Sequence, residues 1–193
     1  LGDAQETSIA NLTFCEGKIG NTDTVVVRCG VGKVNAALCA QILIDRFNIT
    51  HLVNTGIAGS LDNDINIGDL VVSTDVVMHD FSVGPLGYPP GQIPGMDTLA
   101  FEADHRLRTV IAETIRRTVP EIGVFEGRIA TGDQFICTAD RKEWIRDTFH
   151  AECTEMEGGA IAMAAHVNHI PFVILRFISD KADESTAVDY PQF

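Results

Sequence analysis

The chain has 193 residues, 45% of them hydrophobic, a length that fits one domain with a sizeable core and is too short to argue for two. A formal net charge of -13, with no local cluster of Lys and Arg, makes nucleic acid and anionic membrane surfaces poor partners. No apolar stretch approaches the roughly 20 residues that a membrane helix requires. Five cysteines without a CxxC pair fit a reducing cytoplasm, so we expect a cytoplasmic protein.

The first third of the chain is predicted to form a β-hairpin and a helix. Residues 7–29 read as two strands around a turn signal at residues 20–23, with β-branched residues in the second strand. After Gly30 and Gly32 the apolar residues change to helical spacing, which predicts a helix that ends near Phe47.

The rest of the chain alternates between apolar strands and helices. Strands are predicted in HLVNTG, DLVVSTDVVMHD, GVFEGRIATGD and FVILRFIS, and helices over residues 101–119, around Trp144 and within ECTEMEGGAIAMAAH. Because several strands are apolar throughout, we expect an α/β fold, a single-domain three-layer sandwich with a mainly parallel mixed central sheet. Ligands of such folds bind at the carboxyl ends of the strands. The Gly- and Pro-rich residues 83–96 predict a long loop, functional or mobile.

Three segments resemble known ligand loops but lack residues that those loops need. In GVGKV, Val34 stands where a Walker A loop needs Ser or Thr. The acidic residues 62–69 mimic a calcium loop, but the glycine is displaced and the closing glutamate is missing. His166 and His169 do not form an HExxH pattern. We therefore predict no metal site and no nucleoside triphosphate site.

Two predicted strands end in residues that suit a binding site. Gly56–Gly59 (GIAG) follow a buried strand, where small residues let a ligand approach backbone amides, although a tight turn explains them equally well. Asp180 leaves the strand FVILRFIS at the edge where a site would open. An N-cap or an Asx turn is an equal alternative for this aspartate.

The segment TEMEGG (154–159) sets two carboxylates one residue apart at a predicted helix start. Thr154 and Glu157 fit a capping box, in which Glu157 would bind only the Thr154 amide. That interpretation leaves Glu155 unexplained. The two glycines that follow each cost about 1 kcal/mol relative to alanine in a helix, which suggests a close approach by backbone or by a ligand.

Four motifs carry a resemblance to a known family: TEMEGGAIA, FISDKAD, NTGIAG and HDFSVGPLGYPPGQIPG. Taken together, and in this order, they make the chain similar to the 5'-methylthioadenosine/S-adenosylhomocysteine nucleosidases over nearly all of its length. The broader nucleoside phosphorylase fold family shares the Glu-Met-Glu and Ser-Asp signatures. The resemblance implies a nucleoside phosphorylase-like fold.

The resemblance also implies a site for an adenine nucleoside. Asp180, held near Ser179, would hydrogen-bond N7 and the 6-amino group and act as the catalytic acid. Glu157 would bind the ribose hydroxyls through charge-assisted hydrogen bonds. The other implied substrate contacts are Met156 and Glu155 near the sugar, Phe135 stacked on adenine, Ile136 at the base edge through its main chain, Ala58 and Gly59 beside the attacking water, and Tyr190 over the 5' group.

A functional homodimer is a further implication. Its 5'-alkylthio pocket would be shared, because the resemblance assigns five residues to the pocket of the neighbouring subunit: Val31, Val83, Leu86, Tyr88 and Pro94. Neither a cofactor nor a metal is implied.

Two departures from the family pattern bear on catalysis. The family's first strand ends in a loop bearing the glutamate that activates water, and that segment would lie upstream of Leu1. Ile57 stands where many relatives have serine. We expect residues 1–193 to be a single nucleosidase domain that lacks the first strand and loop and the C-terminal helix.

The expected activity is hydrolysis of the N-glycosidic bond of 5'-methylthioadenosine and S-adenosylhomocysteine, with acid catalysis at N7. A phosphorylase is the nearest alternative, but the related phosphorylases supply an arginine and a serine to phosphate where this chain has Asn54 and Ile57. A noncatalytic purine nucleoside binding protein is a third possibility. Adenine release without phosphate, release only with phosphate, or binding without turnover would distinguish the three.

Overall fold

The small sheet at the start of the chain has one strand more than the sequence predicted. In the computed structural model, which describes residues 1–184, β1 (Gly2–Ile9), β2 (Leu12–Ile19) and β3 (Thr22–Val27) pair antiparallel in this order. The hairpin of β2 and β3 confirms the prediction. The strand β1 was missed because its sequence, GDAQETSI, is polar and lacks the β-branched run that marks a strand. Ala10 and Asn11, both with positive φ, form the tight turn into β2.

In the described part of the chain the main sheet has six strands: β4 (Leu52–Ser60), β5 (Leu70–Met78), β6 (Phe101–Glu102), β7 (Val124–Thr131), β8 (Cys153–Glu155) and β9 (Phe172–Asp180). Their order is β6-β5-β7-β8-β4-β9. The long pairings of β4 with β9 and of β5 with β7 are parallel, which confirms a mainly parallel mixed sheet. The sheet also curls back on itself, because the first residues of β5 pair antiparallel with β9. The sequence did not predict this closure.

Among residues 1–184, four α-helices cover the sheet: α1 (Lys33–Phe47), α2 (His105–Thr118), α3 (Ala139–Phe149) and α4 (Gly158–Val167). The helix α4 is buried along most of its length because its residues are small and apolar. Its alanines and Ile161 belong to the main core together with strand residues such as Ile129 and Ile174. This packing fixes the start of α4 against the ends of β7 and β8.

The predicted helix over residues 101–119 starts later than expected. Asp104 Oδ1 accepts a hydrogen bond from the Leu107 amide at 2.8 Å, which caps α2 and places its first residue at His105. Phe101 and Glu102 instead pair with β5 as a short strand. The long loop predicted over residues 83–96 contains one short 3-10 turn, Gly84–Leu86.

Among residues 1–184, no helix is long and apolar enough to cross a membrane. Within the same residues, no group of three or more His, Cys, Asp or Glu side chains is arranged to hold a metal ion.

Candidate functional site

Three neighbouring strands end at the same place in the main sheet. Gly59 of β4 pairs with Thr154 of β8 on one side and with Asp180 of β9 on the other. The register between β4 and β9 shifts between Ala58 and Gly59, so a bulge lies at this point. A cavity of about 340 Å³ opens against these strand ends, and we call it the strand-end cavity.

Most of the predicted site residues share this cavity. Its wall includes Val31, Ala58, Gly59, Phe135, Ile136, Glu155, Met156, Glu157, Ser179 and Asp180. These residues come from five separate segments of the chain, and the fold brings these distant segments together. Phe135 is half exposed, which suits an aromatic ring that stacks on a flat ligand. Ile136 is buried, so its backbone has a fixed position beside the cavity.

Asp180 is held firmly at the end of β9. Its side chain is buried, Oδ1 accepts a hydrogen bond from the Ala182 amide, and Oδ2 accepts one from Ser179 Oγ, both at 2.8 Å. The contact with Ala182 is an Asx turn, which is one of the two structural roles that the sequence allowed for this aspartate. Both interpretations hold at once, because the same carboxyl group also lines the strand-end cavity.

A glycine is required beside this aspartate. A Cβ built on Gly59 would lie 2.8 Å from Asp180 Oδ1 and 2.9 Å from the Ala182 side chain, closer than real contacts allow. The backbone of β4 can therefore approach Asp180 only because residue 59 has no side chain. This explains one glycine of the GIAG segment without invoking a ligand.

The Glu155 side chain is bound within the protein, and it also lines the cavity beside which the resemblance places the sugar. Its Oε2 accepts hydrogen bonds from the amides of Glu157 and Gly158 and from Arg176, and its Oε1 accepts one from Thr131 Oγ1. Burial alone would raise the pKa of Glu155, but the Arg176 charge and these hydrogen bonds outweigh it, so its pKa lies below the ordinary range. Glu155 is thus an ionised anchor under the cavity.

Arg176 is a buried charged residue on this wall that the sequence analysis missed. Its side chain is 1% exposed, and it donates to Glu155 and, at 2.6 Å, to Asn54 Oδ1. An arginine inside the otherwise apolar strand FVILRFIS was the available signal, because a buried charge needs a partner. The partner was the second carboxylate of the Glu-Met-Glu segment.

Glu157 does not act as the helix cap that its spacing suggested. It occupies the N-cap position before α4 without making a side-chain capping bond, and Thr154 Oγ1 has no hydrogen-bond partner among the described residues. Glu157 Oε1 instead accepts a hydrogen bond at 2.8 Å from the amide of Gly32, at the start of α1. The capping-box interpretation is therefore wrong, and the carboxylate that receives the first amides of α4 is that of Glu155.

The environment of Glu157 leaves it partly exposed to the cavity. Burial raises its pKa, the Gly32 amide lowers it in part, and the charge of Glu155 raises it further. The balance is a pKa above the ordinary range for a glutamate. Glu157 therefore differs from Glu155 in its environment and in its hydrogen-bond partners, although only Met156 separates them.

The two glycines after Glu157 are explained by protein contacts. A Cβ on Gly158 would lie 3.1 Å from Glu155 Oε1, and a Cβ on Gly159 would lie 2.9 Å from the Thr131 side chain. The close approach that the sequence predicted is thus made by side chains of β7 and β8. It lets the start of α4 sit directly on the buried carboxylate.

The GVGKV segment is fixed by ion pairing. Lys33 Nζ lies 2.7 and 2.8 Å from the two carboxylate oxygens of Asp80, and the Lys33 amide donates to Asp133. Burial would raise the pKa of Asp80, but the hydrogen bonds and charge of Lys33 lower it below the ordinary range. The lysine is therefore occupied by an ion pair within the protein.

Comparison with known proteins agrees with this geometry. The profile described as "Phosphorylase superfamily" matches residues 3–192. A 5'-methylthioadenosine/S-adenosylhomocysteine nucleosidase of Geobacillus sp. is 41% identical over 194 residues, covering all of this chain and 83% of the relative. That of Bacillus thuringiensis is 38% identical over the same length and the same shares. This chain belongs to the 5'-methylthioadenosine/S-adenosylhomocysteine nucleosidase family of the phosphorylase superfamily.

Solved structures of the family superpose closely. A Helicobacter pylori nucleosidase carrying an aspartate-to-asparagine change, with 5'-methylthioadenosine in its active site, has a TM-score of 0.92 at 32% identity and covers 99% of this chain and 81% of its own. A Colwellia psychrerythraea nucleosidase in complex with adenine has a TM-score of 0.91 at 38% identity, with 97% and 77% covered. The futalosine hydrolase of Helicobacter pylori has a TM-score of 0.88 at 33% identity, with 94% and 77% covered.

Within this nucleosidase family member, the residues assigned to a neighbouring subunit separate into two groups. Val31 lines the strand-end cavity of its own chain, which differs from that assignment. The other four, Val83, Leu86, Tyr88 and Pro94, do not line this cavity in the part of the chain that the structure describes. Tyr190 lies outside the described residues.

Proposed function

We propose that this protein hydrolyses the N-glycosidic bond of 5'-methylthioadenosine and S-adenosylhomocysteine and releases adenine and a 5-thioribose product. The observation that carries the proposal is the single cavity that holds Asp180, Glu157 and Phe135. One carboxyl group for the base, one for the sugar and one aromatic ring for stacking suit the binding and cleavage of a nucleoside. The named relatives and solved structures support the same substrates.

The proposed reaction begins with a proton transfer from Asp180 to N7 of the base. The electron pair of the bond between C1' and N9 passes into the purine ring as the bond breaks, and the proton on N7 lets adenine leave as a neutral molecule. Water then attacks C1' of the ribosyl cation-like centre and loses a proton to solvent, and Asp180 regains its proton from solvent. Ser179 Oγ and the Ala182 amide, each 2.8 Å from an Asp180 oxygen, keep the carboxyl group aimed while this occurs.

Glu157 is proposed to hold the sugar during this reaction. Its Oε1 is tied to the Gly32 amide, so the carboxylate has a fixed orientation at the cavity wall. A carboxylate can accept hydrogen bonds from two neighbouring ribose hydroxyls. Met156 would supply apolar contact to the sugar face, and Phe135 would stack on adenine while Ile136 reads its edge.

A phosphorylase is less well supported because the arginine nearest Asn54 is already committed. Arg176 Nη1 lies close to Gly56, but its guanidinium donates to Glu155, to Asn54 and to its own strand backbone. The charge of Glu155 neutralises it, and phosphate would have to compete with a buried ion pair. Adenine release from 5'-methylthioadenosine, measured with and without added phosphate, tests this: equal rates support hydrolysis, and a phosphate requirement would reverse the assignment.

We also propose a homodimer in which the loop of residues 83–96 completes the 5' pocket of the partner. Leu86 is 70% exposed and Tyr88 is 39% exposed, and these apolar side chains stand on the surface of a single chain. Val83 and Pro94 belong to the same loop, whereas Val31 would contribute from its own chain. Sedimentation should show a dimer at micromolar concentration; a monomer that still binds 5'-methylthioadenosine tightly would remove the basis for a shared pocket.

The proposal also covers the location of the protein and the role of Tyr190. We propose the cytoplasm as the location, since all five cysteines are free thiols and suit a reducing compartment. Tyr190 is proposed to close over the 5' group on the strength of the resemblance alone.

A further inference from the structure

One hydroxyl group on the cavity wall is unexplained by the protein itself. Thr154 is 5% exposed, and its Oγ1 is buried without a hydrogen-bond partner among residues 1–184. Buried hydroxyl groups in native proteins almost always have a partner, because an unpaired one loses its hydrogen bonds to water and gains nothing in return. Thr154 also lines the strand-end cavity, so a bound ligand is the natural source of the missing partner.

The position of Thr154 in the sheet shows which part of a ligand it would meet. Gly59 lies between Thr154 and Asp180 in one row across β8, β4 and β9. With strands about 4.8 Å apart, the two flanking residues lie roughly 10 Å apart, and no side chain stands between them. This gap is wide enough for a flat ring edge.

Both flanking side chains lie on the same face of the sheet. A Cβ on Gly59 would point at Asp180 Oδ1, so the aspartate covers the side-chain face of Gly59. Residues directly opposite each other in an antiparallel pair share a face, which places the Thr154 side chain on that face too. Thr154 and Asp180 therefore face a common space from opposite sides.

We propose that the Thr154 hydroxyl donates a hydrogen bond to N3 of the adenine ring and makes Thr154 a specificity-determining residue for the base. This inference rests on the proposed function, in which Asp180 meets N7. In a purine, N7 and N3 flank the glycosidic nitrogen on opposite sides, so a group across the gap from Asp180 meets N3. Thr154 also precedes the sugar-binding Glu157 by three residues, which suits the ring nitrogen nearest the sugar.

The same contact assists bond cleavage without any proton leaving Thr154. As the bond from C1' to N9 breaks, its electron pair spreads over the ring nitrogens, and N3 becomes a better acceptor. A hydrogen bond that strengthens as charge develops stabilises the transition state more than the bound substrate. Thr154 would thus act on the leaving base from the side opposite the proton donor.

The test compares three free bases on three forms of the protein. Adenine, 3-deazaadenine and 1-deazaadenine are titrated calorimetrically into the wild type, Thr154→Val and Thr154→Ser. In the wild type we expect adenine to bind about tenfold more tightly than 3-deazaadenine, the effect of one neutral hydrogen bond. Thr154→Val should bind both alike, Thr154→Ser should restore the preference, and 1-deazaadenine should weaken equally in all three forms.

A stability measurement separates this role from a structural one. Because Thr154→Val removes an unpaired hydroxyl and keeps the shape, its melting temperature without ligand should not fall. Equal preference for adenine over 3-deazaadenine in the wild type and in Thr154→Val would overturn the N3 contact. Failure of the wild type to bind adenine at all would overturn the proposed function as well, so the two failures are distinct.

Discussion

Arg176 and Glu155 form an ion pair in which each side chain is only 1% exposed, directly beneath the strand-end cavity. The pair joins β9 to β8, and its carboxylate also receives the first amides of α4. A buried pair of this kind holds its surroundings in one arrangement, because neither charge can be left alone out of water. The floor of the cavity is therefore held in place by an ion pair and hydrogen bonds as well as by apolar packing.

Removal of one partner should be costly. Arg176→Met is expected to lower the free energy of unfolding by about 3 to 5 kcal/mol, because it leaves the Glu155 carboxylate buried and uncompensated. Urea denaturation of the variant measures this loss. Arg146→Met is the control, since the Arg146 pair with Asp147 is exposed at the surface and should contribute far less to the free energy of unfolding. Similar losses in the two variants would contradict the buried role.

The same pair predicts how stability depends on pH. The pKa of Glu155 is lowered in the folded state, so its stabilisation is present above the ordinary glutamate value of 4.5 and disappears as pH falls through the lowered value. We expect the stability difference between the wild type and Glu155→Gln to be large near neutrality and to shrink on acidification. Denaturation curves at a series of pH values below neutrality test this. A constant difference would show that ionisation of Glu155 is not the cause.

Glu157→Gln should weaken ligand binding and leave stability intact. A neutral amide keeps the shape but loses charge-assisted bonds worth about 1.5 to 3 kcal/mol each. Because the pKa of Glu157 is raised by burial, its ionisation opposes folding, and that effect grows as pH rises through the raised value. The variant should therefore melt no lower than the wild type at neutral pH. A fall in melting temperature with unchanged affinity would point to a structural role.

Gly59→Ala tests the row of residues across the strand ends. The added methyl group would collide with Asp180 Oδ1 and displace the carboxyl group, so turnover of 5'-methylthioadenosine should fall at least tenfold. Gly17→Ala in β2 is the control, because Gly17 does not line the strand-end cavity and its added Cβ would come no closer than 3.2 Å to a neighbouring atom. Full activity in Gly59→Ala would mean that the position of the Asp180 carboxyl group does not matter for turnover, which would contradict its role as the proton donor.

Asp180→Asn tests the proton donor itself. Asparagine can donate a hydrogen bond to N7 but cannot transfer a proton to it. General acid catalysis contributes roughly 100-fold to 10,000-fold, so the turnover number should fall by at least the lower figure while adenine affinity changes far less. Single-turnover adenine release, measured beside calorimetric binding, distinguishes the two effects. Near-normal turnover would place the acid elsewhere.

The sequence predicted the elements of the fold better than the contacts of the site. Apolar strands and helical spacing identify most elements because burial sets those patterns directly. Motif resemblance identified Asp180, Glu157 and Phe135 as neighbours. It did not identify the pairing of Arg176 with Glu155, since a strand sequence does not state which distant residue will face it.

The capping box shows the limit of local patterns. Thr154 and Glu157 have the correct spacing, yet Glu157 turns to the Gly32 amide and Glu155 takes over the start of α4. The reason is tertiary: Arg176 supplies a positive charge that fixes Glu155, and α1 offers Glu157 an amide from over a hundred positions earlier in the chain. Neither partner is visible within a short sequence window.

The pairing of β4 with β9 has a consequence for how the protein folds. Leu52 pairs with Phe172, about 120 residues later, and the same ladder carries Ala58 and Asp180 to one edge of the sheet. Contacts so distant along the chain form slowly, since the ordering of a long intervening segment must come before any gain from pairing. The part of the site that β4 carries therefore stays incomplete until β9 has paired with it. Adenine should bind no earlier intermediate, so it should slow unfolding without speeding the refolding of the chain.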